Sequence, residues 1–221
     1  MDNQIAYKII NVVNKFPLNK IIDSETLINK DKKQRLEKMF PIFDLIHEYS
    51  IRYNKSVFEI RDELSKNRLY LIKNKQQKDY LVLKKSIKNS GFLIYSDFQN
   101  NYLEYVIEKA RIILSKQVNT KYSNRLDYIF FFKSKSDCIK YLATTNQLDF
   151  YEKKIITIAK IQFTSVDEIA YLDNNLLSNY TESFTVPEYV QKTISYWLEK
   201  LSEEPLIEIL FKGKFKILEY L

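Results

Sequence analysis

The spacing of apolar residues changes near Asn67. Before that point apolar residues recur at intervals of three and four, the period of a helix face. A first helix is expected on the face Ile5, Ile9, Val12 and Val13, and a second on Leu36, Met39, Phe40 and Phe43, interrupted by Pro41. Ser56 and Glu59 form a capping box that opens a further helix over 55–64. Residues 1–67 are therefore predicted to form a helical N-terminal subdomain.

After Asn67, short β-branched and aromatic runs predict strands with single helices between them. Strands are expected over 68–74, 79–85, 91–97, 126–132 and 153–163. Helices are expected on the face Leu103, Val106, Ile107, Ala110, Ile113 and Leu114, from Ser136 and Asp137 to Leu142, and from Thr185 and Pro187 along the face Val190, Ile194, Trp197 and Leu201. Gly213 is expected in the turn of a closing hairpin. This order does not alternate as in a doubly wound sheet. The prediction is an α+β fold, with an α+β domain over 68–221.

Composition excludes several kinds of site. With 2 glycines in the whole chain, a glycine-built phosphate loop is not expected. One cysteine, Cys138, and one histidine, His47, exclude an internal disulfide, a cysteine-built zinc site and a multi-histidine metal site. No signal peptide, transmembrane run or lipidation motif is present in the sequence. We therefore expect a soluble, cytoplasmic protein without membrane association.

Positive charge is concentrated in the middle third of the chain. Residues 70–142 carry 14 Lys+Arg against 6 Asp+Glu, a net charge of +8, whereas 1–69 carry +3 and 143–221 carry −4. A basic middle third attracts polyanions such as nucleic acid or the phosphates of a nucleotide. The other interpretation is a solvated, lysine-rich surface.

Arg125 stands in a polar turn directly before the predicted strand over 126–132. Its planar guanidinium holds phosphate or carboxylate groups through two parallel hydrogen bonds. Two interpretations are open: Arg125 binds an anionic ligand at the edge of the sheet, or it pairs with a nearby carboxylate such as Asp127.

Glu208 is the only charged residue in the apolar run 206–211. A carboxylate among apolar groups is costly unless it is paired or faces a cleft. Glu208 is therefore solvent-exposed on an edge strand, paired with a lysine, or part of a functional site. A suitable reaction is the loss of nicotinamide from NAD, which passes through an oxocarbenium-like state and requires no metal, cysteine or glycine loop.

The segments 103–116 and 122–142, together with later single residues, resemble a family of largely uncharacterised bacterial proteins with an ADP-ribosyltransferase-like domain. These proteins show an arginine-containing helix, a Ser-Arg turn before an aromatic strand, an acidic residue after a later strand, a Tyr-Trp helix and a final Glu-to-Gly hairpin. The resemblance covers roughly residues 68–221. The matching positions are Arg111, Arg125, Phe130, Asp173, Tyr196, Trp197, Glu208 and Gly213.

The resemblance implies a split β-sheet with peripheral helices and an NAD cleft between its halves. It implies that Glu208 is the catalytic residue, which hydrogen-bonds the nicotinamide ribose and directs attack at the anomeric carbon. It also implies cofactor-binding roles: Arg125 and Ser123 from the Ser-Arg turn, Arg68 or Tyr70 at the ribose, and Trp197 against nicotinamide. Asn124 separates Ser123 from Arg125, where the family has an adjacent pair. No metal is implied.

The resemblance further suggests a toxin or antiphage effector that modifies nucleic acid or protein. An antitoxin or other protein partner would bind through the N-terminal helices. Two alternatives remain open at this point: an NAD glycohydrolase that releases free ADP-ribose, and a non-enzymatic, basic nucleic-acid-binding or adaptor protein.

Overall fold

A computed structural model describes residues 4–66, 74–89, 98–117, 122–178 and 185–221. The chain forms two compact units, each assembled from separate parts of the sequence. Unit 1 consists of Met1–Ile28, Ser123–Leu176 and Leu198–Leu221, and unit 2 consists of Asn29–Tyr122 and Leu177–Trp197. The helices are α1 (Lys30–Tyr53), α2 (Val57–Lys66), α3 (Asn74–Asn89), α4 (Phe98–Gln117), α5 (Lys135–Thr144), α6 (Leu148–Glu152), α7 (Asn175–Ser178) and α8 (Val186–Trp197).

Unit 1 is built on antiparallel strands. The strands are β1 (Ile5–Asn11), β2 (Ile21–Asp23), β3 (Ile129–Phe132), β4 (Ile156–Asp173) and β5 (Ile207–Tyr220). They lie in the order β2-β5-β3-β1-β4, and β4 also pairs with β5. Strands β1, β3, β5 and β4 therefore form a closed ring of pairings, to which β2 is added beside β5. Helices together with an antiparallel sheet confirm the predicted α+β class.

The core of unit 1 is formed by alternate residues of the paired strands, because successive side chains in a strand point to opposite faces. Phe131 contacts the rings of Phe163, Phe211 and Phe215, with ring centroids 5.1 to 5.6 Å apart. The buried cluster contains Ala6, Ile10, Ile22, Ile129, Phe131, Ala159, Ile161, Phe163, Ile209, Phe211, Phe215 and Ile217. A second cluster on the other face of β3 joins Phe132, Ile158 and Leu206 to Cys138 of α5.

The predicted first helix is wrong, since this segment is the strand β1. Ile5 and Ile9 are spaced as on a helix face, but other residues of this segment face the core of the sheet. Ala6 and Ile10 face the core of the sheet, with Lys8 between them. A lysine at an inward position conceals the alternation that would have identified a strand.

The predicted closing hairpin is also wrong, because β5 runs through Gly213 without a turn. Gly213 has φ of +139°, and a Cβ atom there would lie 2.2 Å from the backbone oxygen of Ser165 on β4. Its amide donates to Oγ of Ser24 at 2.9 Å. Glycine is required here for close contact within the sheet, where the register between β4 and β5 is irregular.

Unit 2 is helical, and α1, α4 and α8 contribute most of its buried side chains. The predicted capping box is confirmed: Ser56 N donates to Glu59 Oε2 at 2.7 Å, and Glu59 N donates to Ser56 Oγ at 3.2 Å. The predicted helices near α4 and α8 are confirmed as well. The largest fully buried side chains of unit 2 are Tyr80, Tyr102, Tyr105, Tyr196, Phe43, Leu36, Ile46, Ile60 and Ile107.

The strand predicted over 79–85 is wrong, because this segment lies inside α3. Tyr80, Leu83 and Ile87 are buried at helical spacing, whereas Leu81 and Val82 are exposed. The predicted strand over 91–97 and nearly all of the one over 68–74 lie outside the described residues. The predicted domain boundary near Asn67 lies inside the stretch Asn29–Tyr122, which belongs to unit 2. The strands β1 and β2 lie in the sequence before this boundary.

None of the helices in the described part of the chain is both long and apolar enough to cross a membrane.

Candidate functional site

Unit 1 brings Arg125 and Glu208 into direct contact. Arg125 lies in a 3₁₀ turn before β3, and Asn124 caps this turn by accepting a hydrogen bond from Leu126 N at 2.9 Å. Glu208 is the second residue of β5. Nη2 of Arg125 donates to Oε2 of Glu208 at 3.0 Å and to Oε1 at 3.2 Å. The side chains are 11% and 3% exposed respectively, so the ion pair is buried.

Two further groups hold this pair in place. Asn174 lies directly after β4, and its side-chain Nδ2 donates to Oε2 of Glu208 at 3.1 Å. The backbone N–H of Asn174 donates to Leu206 O at 2.8 Å. The guanidinium of Arg125 lies 4.2 Å from the centre of the Phe130 ring, a cation–π contact. The carboxylate therefore has two side-chain donors in this arrangement, and the cation rests on an aromatic face.

The strand register places Glu208 in a row of side chains across the sheet. Glu208 lies opposite Phe132 of β3 and Leu172 of β4, and Tyr7 of β1 lies opposite Phe132. Directly opposed residues in antiparallel strands point to the same face. Tyr7 therefore supplies an aromatic hydroxyl on the Glu208 face, from a strand that the sequence had predicted as a helix. Recognising residues 5–11 as a strand would have allowed the sequence to predict Tyr7 as a residue near the site.

A second hydrogen-bonded cluster fixes the segment that carries Arg125. Lys212 of β5 donates to Oγ of Ser123 at 2.7 Å and to Oε1 of Glu168 at 2.8 Å. Tyr128 donates to Oε2 of Glu168 at 2.5 Å and accepts from Ser123 N at 3.2 Å. Burial, followed by the hydrogen bond to Glu168, raises the pKa of Tyr128 to about 12, so the phenol stays protonated as a donor. The segment 123–128 is thus tied to β5 at Lys212 and at Glu208.

The other predicted site residues have the following positions. Ser123 lies in unit 1, in the cluster with Lys212. Trp197 lies in unit 2, where it is 3% exposed and its indole N–H donates to Ile107 O at 2.8 Å. Arg68 and Tyr70 lie outside the described residues. Within unit 1 the structure therefore brings Arg125, Glu208 and Ser123 to the same part of the sheet.

Asp173 and Arg111, which match the family at single positions, make local contacts. Asp173 accepts four hydrogen bonds, from the amides of Asn175, Ser202 and Leu206 and from the Ser202 hydroxyl. Asp173 therefore holds the chain between β4 and β5. Arg111 pairs with Glu108 one helical turn away and donates to Tyr122 O at 3.2 Å.

Lys8 is the unexpected polar residue of unit 1. It lies on the inward face of β1, opposite Ala159, and its Nζ donates to Phe130 O at 2.8 Å. The amine lies 5.1 Å from the centre of the Phe131 ring. No carboxylate among the described residues pairs with it. Burial lowers the pKa of Lys8 to about 8, and the neighbouring Cys138 opposes this shift to a smaller extent.

Metal and thiol chemistry gain no support from the described side chains. Within those ranges no group of three His, Cys, Asp or Glu residues is placed to hold a metal ion. Burial raises the pKa of the Cys138 thiol to about 12, so it is not a ready nucleophile.

No protein-family model matches the chain, and no curated protein matches it.

Proposed function

We propose that unit 1 carries the site of an NAD-dependent ADP-ribosyltransferase, with the split-sheet fold of that family. The observation that carries the proposal is the contact between Arg125 and Glu208. Each was singled out from the sequence for its own reasons, they are 83 positions apart, and they lie 3.0 Å from each other. The resemblance of the segments around Arg125 and Glu208 to ADP-ribosyltransferase-like proteins supports the same assignment. A toxin or antiphage effector is the biological role we propose.

In this proposal Glu208 is the catalytic residue and Arg125 binds the diphosphate. NAD supplies a glycosidic bond between nicotinamide and ribose, which breaks with positive charge developing on the sugar. A preorganised carboxylate stabilises such charge without reorganisation. Asn174 orients the Glu208 carboxylate, and the row from Tyr7 to Glu208 provides aromatic surface beside it. Arg125 has the planar fork that binds phosphate oxygens.

The pairing of these two residues with each other sets a condition on substrate binding. Glu208 is 3% exposed and Arg125 occupies both of its oxygens. A ribose reaches the carboxylate only when this ion pair opens. The diphosphate offers Arg125 an alternative anion, so exchange of Arg125 from Glu208 to phosphate would release the carboxylate for the sugar.

The test is nicotinamide release from NAD by the purified full chain, with total cellular nucleic acid and total protein added separately. We compare the wild type with Glu208→Gln, which keeps the size of the side chain and removes its charge. The matched control is Glu219→Gln on the same strand, where the carboxylate is 51% exposed and pairs with Lys160. Thermal melts show whether each variant remains folded.

We expect release by the wild type and by Glu219→Gln, and a loss of at least about 100-fold in folded Glu208→Gln, the scale reported for removing one electrostatic stabiliser. Label from NAD in nucleic acid or in protein identifies the acceptor, and free ADP-ribose alone identifies a glycohydrolase. Absence of turnover under every addition, or full activity of Glu208→Gln, would overturn the proposal. Arg125 and Glu208 would then be a structural ion pair.

A further inference from the structure

The excess positive charge of the chain belongs to unit 2. Its sequence ranges carry 21 Lys+Arg against 13 Asp+Glu, a net charge of +8, whereas those of unit 1 carry 14 against 15, a net charge of −1. Division by units therefore separates a nearly neutral unit 1, which contains the sheet, from a basic, helical unit 2.

One helix of unit 2 presents both charge and apolar surface to solvent. On α3, Lys78, Lys85 and Lys88 are exposed, and between them Leu81 and Val82 are 49% and 58% exposed. These positions recur at helical spacing and so form one stripe, opposite the buried Tyr80, Leu83 and Ile87. Two adjacent apolar side chains flanked by lysines differ from a purely solvated lysine surface.

A groove between α1 and α3 lies beside this stripe. It has a volume of about 90 Å³ and is lined by Leu45, Glu48, Tyr49, Arg52, Asp79, Val82 and Leu83. The groove therefore has room for several waters or for one small side chain. Val82 belongs both to the groove and to the exposed stripe.

Tyr49 is one of the residues that line this groove, and its hydroxyl is buried. Tyr49 is 4% exposed, and its Oη has no hydrogen-bond partner among the described residues. Gln76 lies close, but outside hydrogen-bonding geometry. Burial raises the pKa of Tyr49, so the phenol remains a donor.

The charges around the groove favour an acidic ligand. Asp79 is already bound by Arg52 at 2.5 Å and by the hydroxyl of Tyr53 at 2.6 Å. Glu48 is the remaining acidic residue in the groove lining, and the three exposed lysines of α3 outnumber it. Partner carboxylates therefore meet a net positive surface along α3.

We propose that the α3 stripe and this groove bind an acidic amphipathic helix of a protein partner. One apolar side chain of the partner enters the groove beside Val82, others cover Leu81, and carboxylates face Lys78, Lys85 and Lys88. This is the helix-in-groove mode of recognition, in which apolar anchors recur at three and four residues. Nucleic acid fits less well, because the stripe contains lysines and aliphatic residues but no aromatic platform for bases. The proposal does not depend on NAD chemistry.

The probe is a fluorescent synthetic peptide of about four helical turns, with leucine along one face and glutamate on the flanks. A matched peptide with glutamine in place of glutamate and a labelled oligo(dT) serve as comparison ligands. Binding of each to the full chain is measured by fluorescence anisotropy at low and at physiological salt.

We expect the acidic peptide to bind more tightly than either comparison ligand. Lys78→Glu/Lys85→Glu and, separately, Val82→Asp should each weaken binding about tenfold or more. The control Lys38→Glu/Lys116→Glu makes the same change in charge at exposed positions of α1 and α4 and should stay within about twofold of wild type. Tighter binding of oligo(dT), binding insensitive to Val82→Asp, or no binding of the acidic peptide by folded wild type would each overturn the proposal.

Discussion

Replacing Lys8 with methionine should stabilise unit 1. Lys8 lies between Ala6 and Ile10 on the inward face of β1, with no carboxylate partner among the described residues. Methionine has a similar length and no charge, so it fills the same space without the cost of burying an ammonium. The prediction is unusual because most substitutions at buried positions destabilise a protein.

The magnitude follows from the pKa of the amine. Burial lowers the pKa from 10.5 to about 8, and at about 1.36 kcal/mol per unit this corresponds to a penalty of about 3 kcal/mol. Methionine also loses the hydrogen bond from Nζ to Phe130 O, worth about 1 kcal/mol. The net gain expected at neutral pH is therefore about 2 kcal/mol.

The same shift fixes the pH dependence. Below pH 8 both the folded and the unfolded chain carry a protonated Lys8, and the full penalty applies. Between pH 8 and 10.5 the unfolded chain binds more protons at this position, so the stability of the wild type rises with pH. Above pH 10.5 both states are neutral at Lys8 and the penalty is gone. Lys8→Met should lack this rise.

The assay uses the single thiol of the chain. Cys138 is buried in unit 1, so its reactivity towards a thiol reagent during urea titration reports opening of that unit. The control is Lys160→Met on β4, where the ammonium is 34% exposed and pairs with Glu219; its effect should stay within about 0.5 kcal/mol. A destabilised Lys8→Met, or one whose stability rises between pH 8 and 10.5 as steeply as that of the wild type, would refute the reasoning.

Two further substitutions test the buried ion pair and the proposed role of Trp197. Arg125→Met leaves Glu208 buried without its cation and should lower the free energy of unfolding of unit 1 by about 3–5 kcal/mol in the thiol assay. The double variant Arg125→Met/Glu208→Leu should recover most of this loss. A loss below about 1 kcal/mol in Arg125→Met would contradict burial of the pair. Trp197→Phe removes the indole hydrogen bond to Ile107 O and should destabilise unit 2 by about 1–3 kcal/mol with nicotinamide release unchanged. Loss of release in a stable Trp197→Phe variant would instead support stacking on nicotinamide.

The sequence was informative where local rules decide the structure. The Ser56 and Glu59 capping box, α4, β3, β4 and α8 all depend on contacts within one element or on long, regular patterns. It failed where tertiary packing overrides the pattern. The seven residues of β1 contain a lysine that faces inward. The segment of α3 contains the exposed apolar residues Leu81 and Val82, which make its sequence resemble that of a strand.

The resemblance placed Arg125 and Glu208 in one predicted site, but their direct contact was not predicted. Arg125 and Glu208 were each given local alternatives, such as pairing with Asp127 or with a lysine, because spacing along the chain carries no information about long-range contacts. Their contact depends on the register of β3 against β5, which sets Phe132 opposite Glu208. Asn174 and Lys212 escaped notice for the same reason, since their roles arise from the pairing of β4 with β5.

The order of the strands in the sequence affects how the ring of strands in unit 1 can form during synthesis. The ribosome makes β1 and β2 first and then the long stretch of unit 2 before it returns to β3 and β4, and β5 comes last of the five. Because β5 pairs with β2, β3 and β4, those strands have exposed hydrogen-bonding edges until it emerges. Nascent chains interrupted before Ile207 should therefore aggregate or require chaperones. A stop codon that removes only β5 would accordingly remove three of the five strand pairings of the sheet, and Glu208 with them.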